Sequence, residues 1–421
     1  MKVFVLNKNG NPLMPCKPHK AKKLLKQNKA VLVNKTPFTI KLLYGSAGYK
    51  QPITLGVDSG FKNVGLSAVS KKKELFCADV SLRTDIPKLL LEKRMFRRGR
   101  RGRKIWYRKP RFLNRARGKL NRARGKGWFA PSIQHKLDTH IKIIDKIKKI
   151  LPVSDVVVEV ASFDTQKMMN PEISGVEYQQ GELQGYEVRQ YLLEKWGRKC
   201  AYCGKKDIPL EIEHIIPKSR GGSDRVSNLT IACNECNQKK DKQTAEEFGF
   251  PNIQKKANKS LKATAFMNNV RWKLVNQLKS KSTFGSITKY NRIRLGISKS
   301  HINDAFVIAG GIEQNRNDIH YLMKQVRRSN RKLRRGKRSE VNNLLPTVMY
   351  GFKLFDTVLF NGKKGYVAAR RKSGYFKVKT LTGEMISDSA SYKKLKLLGH
   401  QNSFLIEPQF IQNHISGQSP A

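Results

Sequence analysis

Two pairs of cysteines in the middle of the chain have the spacing of metal ligands. Cys200 and Cys203 form one Cys-x-x-Cys pair, Cys233 and Cys236 form a second, and 29 residues separate the pairs. Four thiolates in two such pairs typically hold one structural zinc ion in a tetrahedral site. The other two cysteines are isolated in sequence, which favours metal binding in a reducing compartment over disulfide formation. The sequence therefore predicts a zinc site that joins two loops.

Polar residues within and just after this cysteine frame have the side chains that phosphodiester hydrolysis needs. That reaction requires a base that activates water and a hard cation that stabilises charge on the phosphate and the leaving oxygen. His214 can supply the base. The order of His214, Asn228 and Asn237 in a four-cysteine frame resembles the HNH (ββα-metal) endonucleases. The resemblance implies that Glu213 and Asn237 hold one magnesium ion and that Asn228 orients the His214 imidazole. The alternative is a zinc finger that only binds nucleic acid.

Three acidic residues that are far apart in sequence form a second candidate site. Asp58 lies at an apparent hairpin turn, Glu159 interrupts an apolar strand, and Asp304 lies in the first turn of an apolar helix. His301 precedes Asp304 by three residues and so shares its helical face. A carboxylate in an apolar strand is costly to bury without a cation or a donor. Each acid alone could cap a turn or a helix, but together they predict a functional site.

The segments that carry these acids resemble the split motifs of a RuvC nuclease domain, which has an RNase H-like fold. The resemblance implies that Asp58, Glu159 and Asp304 are magnesium ligands and that His301 assists in water activation or metal ligation. A pair of magnesium ions in such a site positions water and stabilises the leaving oxygen.

A strongly basic segment lies between Asp58 and Glu159 in sequence. Residues 93–126 include 17 Lys or Arg and no acid. A helix-compatible pattern begins after Pro87 and should end or bend by Pro110. Because arginines load every face, no face suits a protein core, and we expect phosphate around this helix. The candidate nucleic-acid-binding residues are Arg94, Arg97, Arg98, Arg100, Arg101, Arg103 and Arg108. The alternative is a solvated charge run.

The combination of these features resembles one family. A RuvC-type domain interrupted by an arginine-rich helix and an HNH insert, with Pro-Leu-Met-Pro at residues 12–15, resembles IscB, a family of transposon-encoded nucleases related to the ancestors of CRISPR type II effectors. The resemblance implies one protein per guide RNA (ωRNA), a double-stranded DNA target, HNH cleavage of the guide-paired strand and RuvC cleavage of the displaced strand. Two alternatives are a protein-guided endonuclease of homing or resolvase type and a non-catalytic RNA-binding protein.

The bulk composition agrees with a nucleic-acid partner. The chain has 85 Lys plus Arg against 31 Asp plus Glu, a formal net charge of +54 that destabilises a compact state unless an anion neutralises it. The basic excess is spread along the chain, which favours nucleic acid over a membrane surface. No segment approaches the roughly 18 apolar residues of a membrane span. We expect a protein of the prokaryotic cytoplasm or nucleoid.

The expected fold class is a multidomain α/β protein. Its RNase H-like core is split by an arginine-rich bridge helix and a zinc-bearing HNH insert, with small N-terminal and β-rich C-terminal domains. The expected segments are an N-terminal PLMP-type domain at 1–52, RuvC segment one at 53–86, the bridge helix region at 87–127, RuvC segment two at 128–165, a linker at 166–180, the HNH domain at 181–250, RuvC segment three at 251–312, and a basic linker and C-terminal domain at 313–421. By the resemblance, the C-terminal domain contacts RNA and a motif beside the target.

Overall fold

A computed structural model of the chain describes residues 2–46, 48–102, 129–160, 186–258, 270–327 and 346–410. The described strands are β1 (Val3–Leu6), β2 (Pro12–Cys16), β3 (Ala30–Asn34), β4 (Thr39–Leu42), β5 (Ile53–Ser59), β6 (Asn63–Ser70), β7 (Glu74–Ser81), β8 (Asp155–Val160), β9 (Glu211–His214), β10 (Leu229–Ala232), β11 (Lys281–Phe284), β12 (Ile319–Gln325), β13 (Thr357–Phe360), β14 (Lys363–Arg370), β15 (Tyr375–Lys379), β16 (Met385–Ser391), β17 (Lys396–Gly399) and β18 (Phe404–Phe410).

The described helices are α1 (Pro18–Lys26), α2 (Ile86–Gly102), α3 (Pro131–Lys148), α4 (Tyr186–Trp196), α5 (Asn234–Lys240), α6 (Asn252–Asn258), α7 (Arg271–Leu278), α8 (Gly285–Arg294) and α9 (His301–Ile308). Among these described helices, none combines the length and the hydrophobicity that a membrane crossing requires.

The chain divides into two compact units. The first contains Met1–Glu159 and Leu274–Ala421, and the second contains Val160–Lys273. Residues 251–258 and 270–273, which were expected to begin the third RuvC segment, group with the second unit. The reason is local packing, because Lys195 donates a hydrogen bond to the carbonyl of Ala257 and Lys256 Nζ lies 4.4 Å from the centre of the Trp196 ring. These contacts join α6 to α4.

The first unit begins with a small four-stranded sheet in the order β2-β1-β4-β3. Strand β1 is parallel to β4 and antiparallel to β2. The Asn, Gly and Pro residues of Asn7–Pro15 predict a turn over the whole segment, but Pro12–Cys16 forms strand β2. The turn is shorter because the Asn7 side chain accepts hydrogen bonds from the backbone N–H groups of Asn9 and Asn11, which reverses the chain before Pro12.

The main sheet of the first unit has seven strands in the order β11-β8-β5-β6-β7-β12-β18. Strands β5, β6 and β7 form an antiparallel meander, and β8 lies parallel to β5 on its other side. Nearly all residues of β5 and β6 are buried, so both strands are apolar on both faces, as is typical of a sheet covered on both sides. The arrangement places the ends of β5 and β8 next to each other.

The C-terminal region is divided between two sheets. Residues 313–421 were expected to form a basic linker and a separate β-rich domain, but β12 and β18 extend the main sheet, with β12 parallel to β7 and antiparallel to β18. Strands β13 to β17 form a five-stranded sheet in the order β16-β15-β14-β13-β17 around Val358, Val367 and Phe376. Strands of the expected C-terminal region are thus divided between the main sheet and a sheet of their own.

The second unit contains the antiparallel hairpin of β9 and β10, in which Leu229 pairs with His214 and Thr230 with Glu213. Helix α5 follows directly, so the order in this part of the chain is strand, strand, helix. The fold class is thus confirmed as a mixed α/β multidomain protein.

Candidate functional site

The acids predicted from sequence lie on neighbouring strands of the main sheet. Val57 of β5 is paired with Val158 of the parallel strand β8, so Asp58 and Glu159 are the next residues along each strand. Because side chains alternate along a strand, these two carboxylates share one face of the sheet. Asp58 lies within β5 and not in a turn as expected, and it is only 6% exposed.

Helix α9 lies close to the same sheet because two residues beneath it have no side chain. A Cβ atom built on Gly56 of β5 would lie 2.1 Å from the Ala305 carbonyl oxygen, and one on Gly65 of β6 would lie 1.8 Å from that of His301. The helix begins at an N-cap, since the Ser300 hydroxyl accepts a hydrogen bond from the Asn303 N–H. Its first turn, which carries His301 and Asp304, therefore lies over the sheet.

The first turn of α9 contacts Asp58 directly. His301 Nδ1 lies 2.6 Å from Asp58 Oδ2. The hydrogen bond to Asp58 raises the pKa of His301 against the opposing effect of burial, and the charges of Asp79 and Asp304 raise it further. Burial, and next the Asp58 charge, raise the pKa of Asp304. The structure thus brings together three residues that are separated by up to 246 positions in the sequence.

Two further residues adjoin this carboxylate site. Arg292 Nε of α8 lies 2.9 Å from Asp304 Oδ1, as an ion pair without hydrogen-bond alignment. Glu159 lies next to the start of α8, since a Cβ atom built on Gly285 would be 3.4 Å from Glu159 Oε1. Carboxylate oxygens are the ligands that magnesium prefers, but among the described residues only the four cysteines have ligand atoms close enough together to hold a metal ion.

Asp79 of β7 is a residue of this face that sequence reasoning missed. It pairs with Gly65, which in turn pairs with Asp58. The available signal was the same as for Glu159, because Asp79 is an acid inside the apolar segment Leu75–Val80. Burial raises the pKa of Asp79, while the nearby His301 lowers it.

The second candidate site lies on the β9–β10 hairpin. His214 is the last residue of β9, and its Nε2 lies 2.8 Å from Asp224 Oδ1. Lys218 Nζ lies 3.0 Å from the other Asp224 oxygen. The hydrogen bonds from His214 and Lys218 lower the pKa of Asp224, so this carboxylate is ionised and accepts the imidazole N–H. Asp224 was not predicted as a site residue.

The polar contacts of Asn228 differ from the predicted role of orienting His214. Its side-chain oxygen accepts the N–H of Ile216, and its amide group donates to the carbonyls of Ile216 and Ser223. These bonds brace the backbone of the loop that follows His214. Asn228 therefore supports the loop, whereas Asp224 is the residue that contacts the imidazole.

The predicted pairing of Glu213 with Asn237 is also different in the structure. Lys240 Nζ, which is fully buried, lies 2.7 Å from Glu213 Oε1 and 2.8 Å from the His214 carbonyl oxygen. Asn237 instead donates to Glu211 Oε2 at 2.8 Å. Glu211 and Glu213 lie on one face of β9 because they are two residues apart. The oxygen atoms that the structure brings to Asn237 belong to Glu211.

The four predicted zinc ligands form one cluster. The Sγ atoms of Cys200, Cys203, Cys233 and Cys236 all lie within 4.8 Å of one another. The distance between Cys203 Sγ and Cys233 Sγ is 3.7 Å, and sulfurs placed 2.3 Å from a tetrahedral zinc ion would be about 3.8 Å apart. Burial alone raises the pKa of Cys200, but backbone N–H groups, led by that of Cys233, outweigh it and lower the pKa to about 7. The cluster fits zinc.

The arginine-rich segment is helical where the structure describes it. Helix α2 spans Ile86–Gly102, and Arg94, Arg97 and Arg98 are exposed. No residue of α2 with a described side chain is buried, which agrees with a helix that has no core-facing side. Arg100 and Arg101 belong to this helix, whereas Arg103 and Arg108 lie outside the described residues, as do the predicted linker at 166–180 and most of the basic run Arg327–Arg338.

Comparison with protein families gives two matches, which include Asp58 and Glu159 of the carboxylate site and the residues of the His214 site, whereas His301 and Asp304 lie outside both. Residues 3–181 match a family described as "RRXRR protein", the N-terminal family of Cas9- and IscB-type proteins, and residues 200–251 match "HNH endonuclease". The sequence Arg97-Arg98-Gly99-Arg100-Arg101 has the pattern of the first name. Over these residues the chain is similar to IscB- and Cas9-type proteins and to HNH endonucleases. No curated protein matches the sequence.

Solved structures similar to this chain include two of Streptococcus thermophilus Cas9. The structure in complex with the AGAA PAM has 17% identity and a TM-score of 0.20, and the match covers 48% of this chain and 28% of that one. The structure with the GGAA PAM has 16% identity and a TM-score of 0.19, with 43% and 26% covered. The match therefore spans about a quarter of the length of these Cas9 chains.

Proposed function

We propose that this protein is an RNA-guided endonuclease that cuts both strands of double-stranded DNA, each at its own site. The observation that supports the proposal is that one chain carries two groupings of the residue types that phosphodiester hydrolysis uses. One is the carboxylate site of Asp58, His301 and Asp304 on the main sheet, and the other is the His214 site on the β9–β10 hairpin. Two sites acting on different strands require strands that are held apart, and pairing of a guide with one strand displaces the other.

At the His214 site, the contact with Asp224 determines which ring nitrogen is the base. Because the ionised Asp224 accepts a hydrogen bond, the proton of the neutral ring lies on Nε2, and Nδ1 is left to take a proton from water. A magnesium ion, when bound, would stabilise charge on the phosphate and the leaving oxygen. Glu211 and Asn237 would hold it, with Glu213 on the same strand face. We propose that this site cuts the guide-paired strand.

At the carboxylate site, the same reasoning identifies Nε2, and not Nδ1, as the basic ring nitrogen. His301 Nδ1 donates to Asp58, so Nε2 is the nitrogen that can accept a proton from water. Asp58, Glu159 and Asp304 would hold the divalent cations on one face of an RNase H-like sheet, a topology supported by the antiparallel meander and the parallel strand β8. Arg292 Nε lies 2.9 Å from Asp304 Oδ1 and offsets part of the negative charge of the site. We propose that this site cuts the displaced strand.

The guide is inferred from charge and exposure. Helix α2 presents Arg94, Arg97 and Arg98 to solvent without packing against a core, and the chain as a whole carries a formal charge of +54. A polyanion that surrounds this helix would remove the self-repulsion. An RNA of defined sequence would at the same time select the DNA target.

The test begins with purification of the protein from cells that express its own locus, followed by sequencing of the RNA that co-purifies. Plasmid cleavage with magnesium is then measured before and after RNase treatment, and with strand-labelled DNA for His214→Ala and Asp58→Ala. We expect one defined RNA, RNase-sensitive cutting, and nicking of opposite strands by the two variants. Cutting at one fixed site after RNase treatment would instead favour a nuclease that reads DNA directly, and full double-strand breaks by either variant would refute the two-site assignment.

A further inference from the structure

Asp79 lies on the same sheet face as the proposed catalytic carboxylates, in the same row across the strands. In the antiparallel register Asp58 of β5 is opposite Gly65 of β6, and Gly65 is opposite Asp79 of β7. Residues in register on successive strands point to the same side of a sheet, and two strand spacings separate the backbones of Asp58 and Asp79 by roughly 10 Å. The residue between them contributes no side chain.

His301 occupies the space above that missing side chain. A Cβ atom on Gly65 would lie 1.8 Å from the His301 carbonyl oxygen and 3.0 Å from His301 Cβ. The backbone of His301 is therefore over the middle strand, with Asp58 on the strand to one side and Asp79 on the strand to the other. The ring bonds Asp58 through Nδ1. Two carboxylates thus flank one imidazole, and only one of them bonds it directly among the described contacts.

The carboxylate of Asp79 is incompletely satisfied. Its Oδ1 atom is buried and has no hydrogen-bond partner among the described residues. A buried carboxylate oxygen without a donor is unfavourable, and native proteins retain few such groups. The charged groups that act on Asp79 are the two histidines, His301 and His320, and the carboxylate of Asp58. His320 Nδ1 is likewise buried without a partner among the described residues.

Glu74, another acid of strand β7, shows the set of hydrogen-bond donors that a structural carboxylate has in this fold. Glu74 is fully buried, and its carboxylate receives the Ser67 hydroxyl at 2.5 Å, Arg316 Nε at 2.8 Å and the Asn317 N–H at 3.1 Å. Strand β7 thus holds one fully buried acid whose donors are complete and one half-buried acid with a buried oxygen that has no donor among the described residues. The incomplete one is Asp79, and it is the one beside the carboxylate site.

We infer that Asp79 is a positioning residue of the carboxylate site and acts on it through His301. The inference rests on the proposed function, because it assigns a residue to the site that is proposed to cut the displaced strand. The His301 side chain is 41% exposed and is held by one direct hydrogen bond, so a single contact leaves the ring able to rotate. Asp79 supplies attraction from the other flank and holds the ring over the sheet, with Nε2 directed to the reacting water.

The expected loss of displaced-strand nicking can be estimated from side chains that orient histidines in other proteins. Side chains that orient a catalytic or metal-binding histidine typically contribute 10- to 100-fold in activity or metal affinity. Asp79→Asn keeps the size of the side chain and removes its charge, so we expect displaced-strand nicking to fall about 10- to 100-fold. Asp79→Glu keeps the charge on a longer side chain, and we expect it to recover most of that loss.

The experiment uses the protein in complex with its RNA and a target labelled on both strands. Rates of nicking of the two strands are measured in the same reaction for wild type, Asp79→Asn and Asp79→Glu. Asp155→Asn is the matched control, because it makes the same change at an exposed acid of the same sheet. Cleavage of the guide-paired strand by the His214 site reports folding and RNA loading in each variant. We expect only the displaced strand to be affected, and only by Asp79→Asn.

Three results would overturn the inference. If Asp79→Asn nicks the displaced strand at the same rate as Asp155→Asn, then Asp79 does not support the site. An equal loss on both strands, or a loss that Asp79→Glu does not reduce, means that Asp79 serves folding. Failure of the proposed function is distinguishable, because wild-type displaced-strand nicking would then be absent or would persist after Asp58→Ala, and the inference would fall with it.

Discussion

Gly65→Ala tests whether the close approach of α9 to the sheet is what builds the carboxylate site. The added Cβ would lie 1.8 Å from the His301 carbonyl oxygen and 2.4 Å from the His301 carbonyl carbon. Both atoms are backbone, so no side-chain rotation can relieve the contact. The first turn of the helix must move away from β6 or the strand must bend.

The size of the displacement can be worked from the contact. Cβ atoms essentially never approach other heavy atoms within 3.0 Å, so at least 1.2 Å of movement is required. Overpacking of this kind destabilises a protein by about 1–3 kcal/mol. A misplacement of about 1 Å at a catalytic group costs on the order of 100-fold in rate. Because His301 and Asp304 both lie in the displaced turn, we expect about a 100-fold loss of displaced-strand nicking.

The assay is strand-specific nicking of a guide-matched duplex, with thermal unfolding measured in parallel. The guide-paired strand, cut by the His214 site in the other unit, should be cleaved at the wild-type rate. Gly45→Ala is the matched control, because its added Cβ has no neighbour within 4 Å. If Gly65→Ala cuts the displaced strand within about threefold of wild type and unfolds at the same temperature, the packing argument is refuted, since an overpacked helix should lose both.

Three more measurements probe the cysteine cluster, the ionisation of the carboxylate site and the basic helix. Cys236→Ser should lower the zinc content measured by elemental analysis and abolish guide-paired-strand nicking while displaced-strand nicking persists, because structural zinc sites contribute folding energy. In EDTA, the melting temperature of the wild type relative to that of Asp304→Asn should fall as pH rises above about 4, because burial and the Asp58 charge raise the pKa of Asp304 above its unfolded value of about 3.9, and a group with a raised folded pKa stabilises the fold only while it is protonated. Replacing Arg97 and Arg98 by alanine should reduce the slope of log affinity for RNA against log salt by about 1.4–1.8, measured by filter binding, and an unchanged slope would mean that neither residue contacts phosphate.

Features carried by local patterns could be predicted from the sequence. The apolar helix beginning at His301 and the apolar strand around Glu159 were predicted because each pattern occupies one continuous stretch. The four-cysteine cluster followed from ligand spacing, which depends on two short loops. Convergence of Asp58, His301 and Asp304 followed from family resemblance, since no local pattern specifies contacts between residues so distant.

Features that depend on long-range strand pairing were missed. Strand β12 pairs with β7, whose partner residues lie more than 240 positions earlier, and β18 then pairs with β12. The composition of β12 and β18 would also suit strands of a separate domain. The alternation of apolar residues therefore predicts that each segment is a strand, but it does not predict which strand it pairs with. Asp79 was missed for a related reason, because its neighbours at the site are supplied by β6 and α9.

In the His214 site, Asn237 bonds Glu211 and Lys240 bonds Glu213, a pairing that the sequence did not predict. Glu211 and Glu213 share a face of β9, and Asn237 and Lys240 share a face of α5 because they are three residues apart. The sequence therefore offers two acids to one amide and one ammonium group without fixing the pairing. The burial of Lys240 decides it, because a fully buried ammonium group is strongly destabilising unless it is paired, and Glu213 is the acid it reaches. Asn237 is then left to bond Glu211. Glu211, which the sequence motif did not single out, is therefore the acid whose oxygens lie beside the Asn237 side chain.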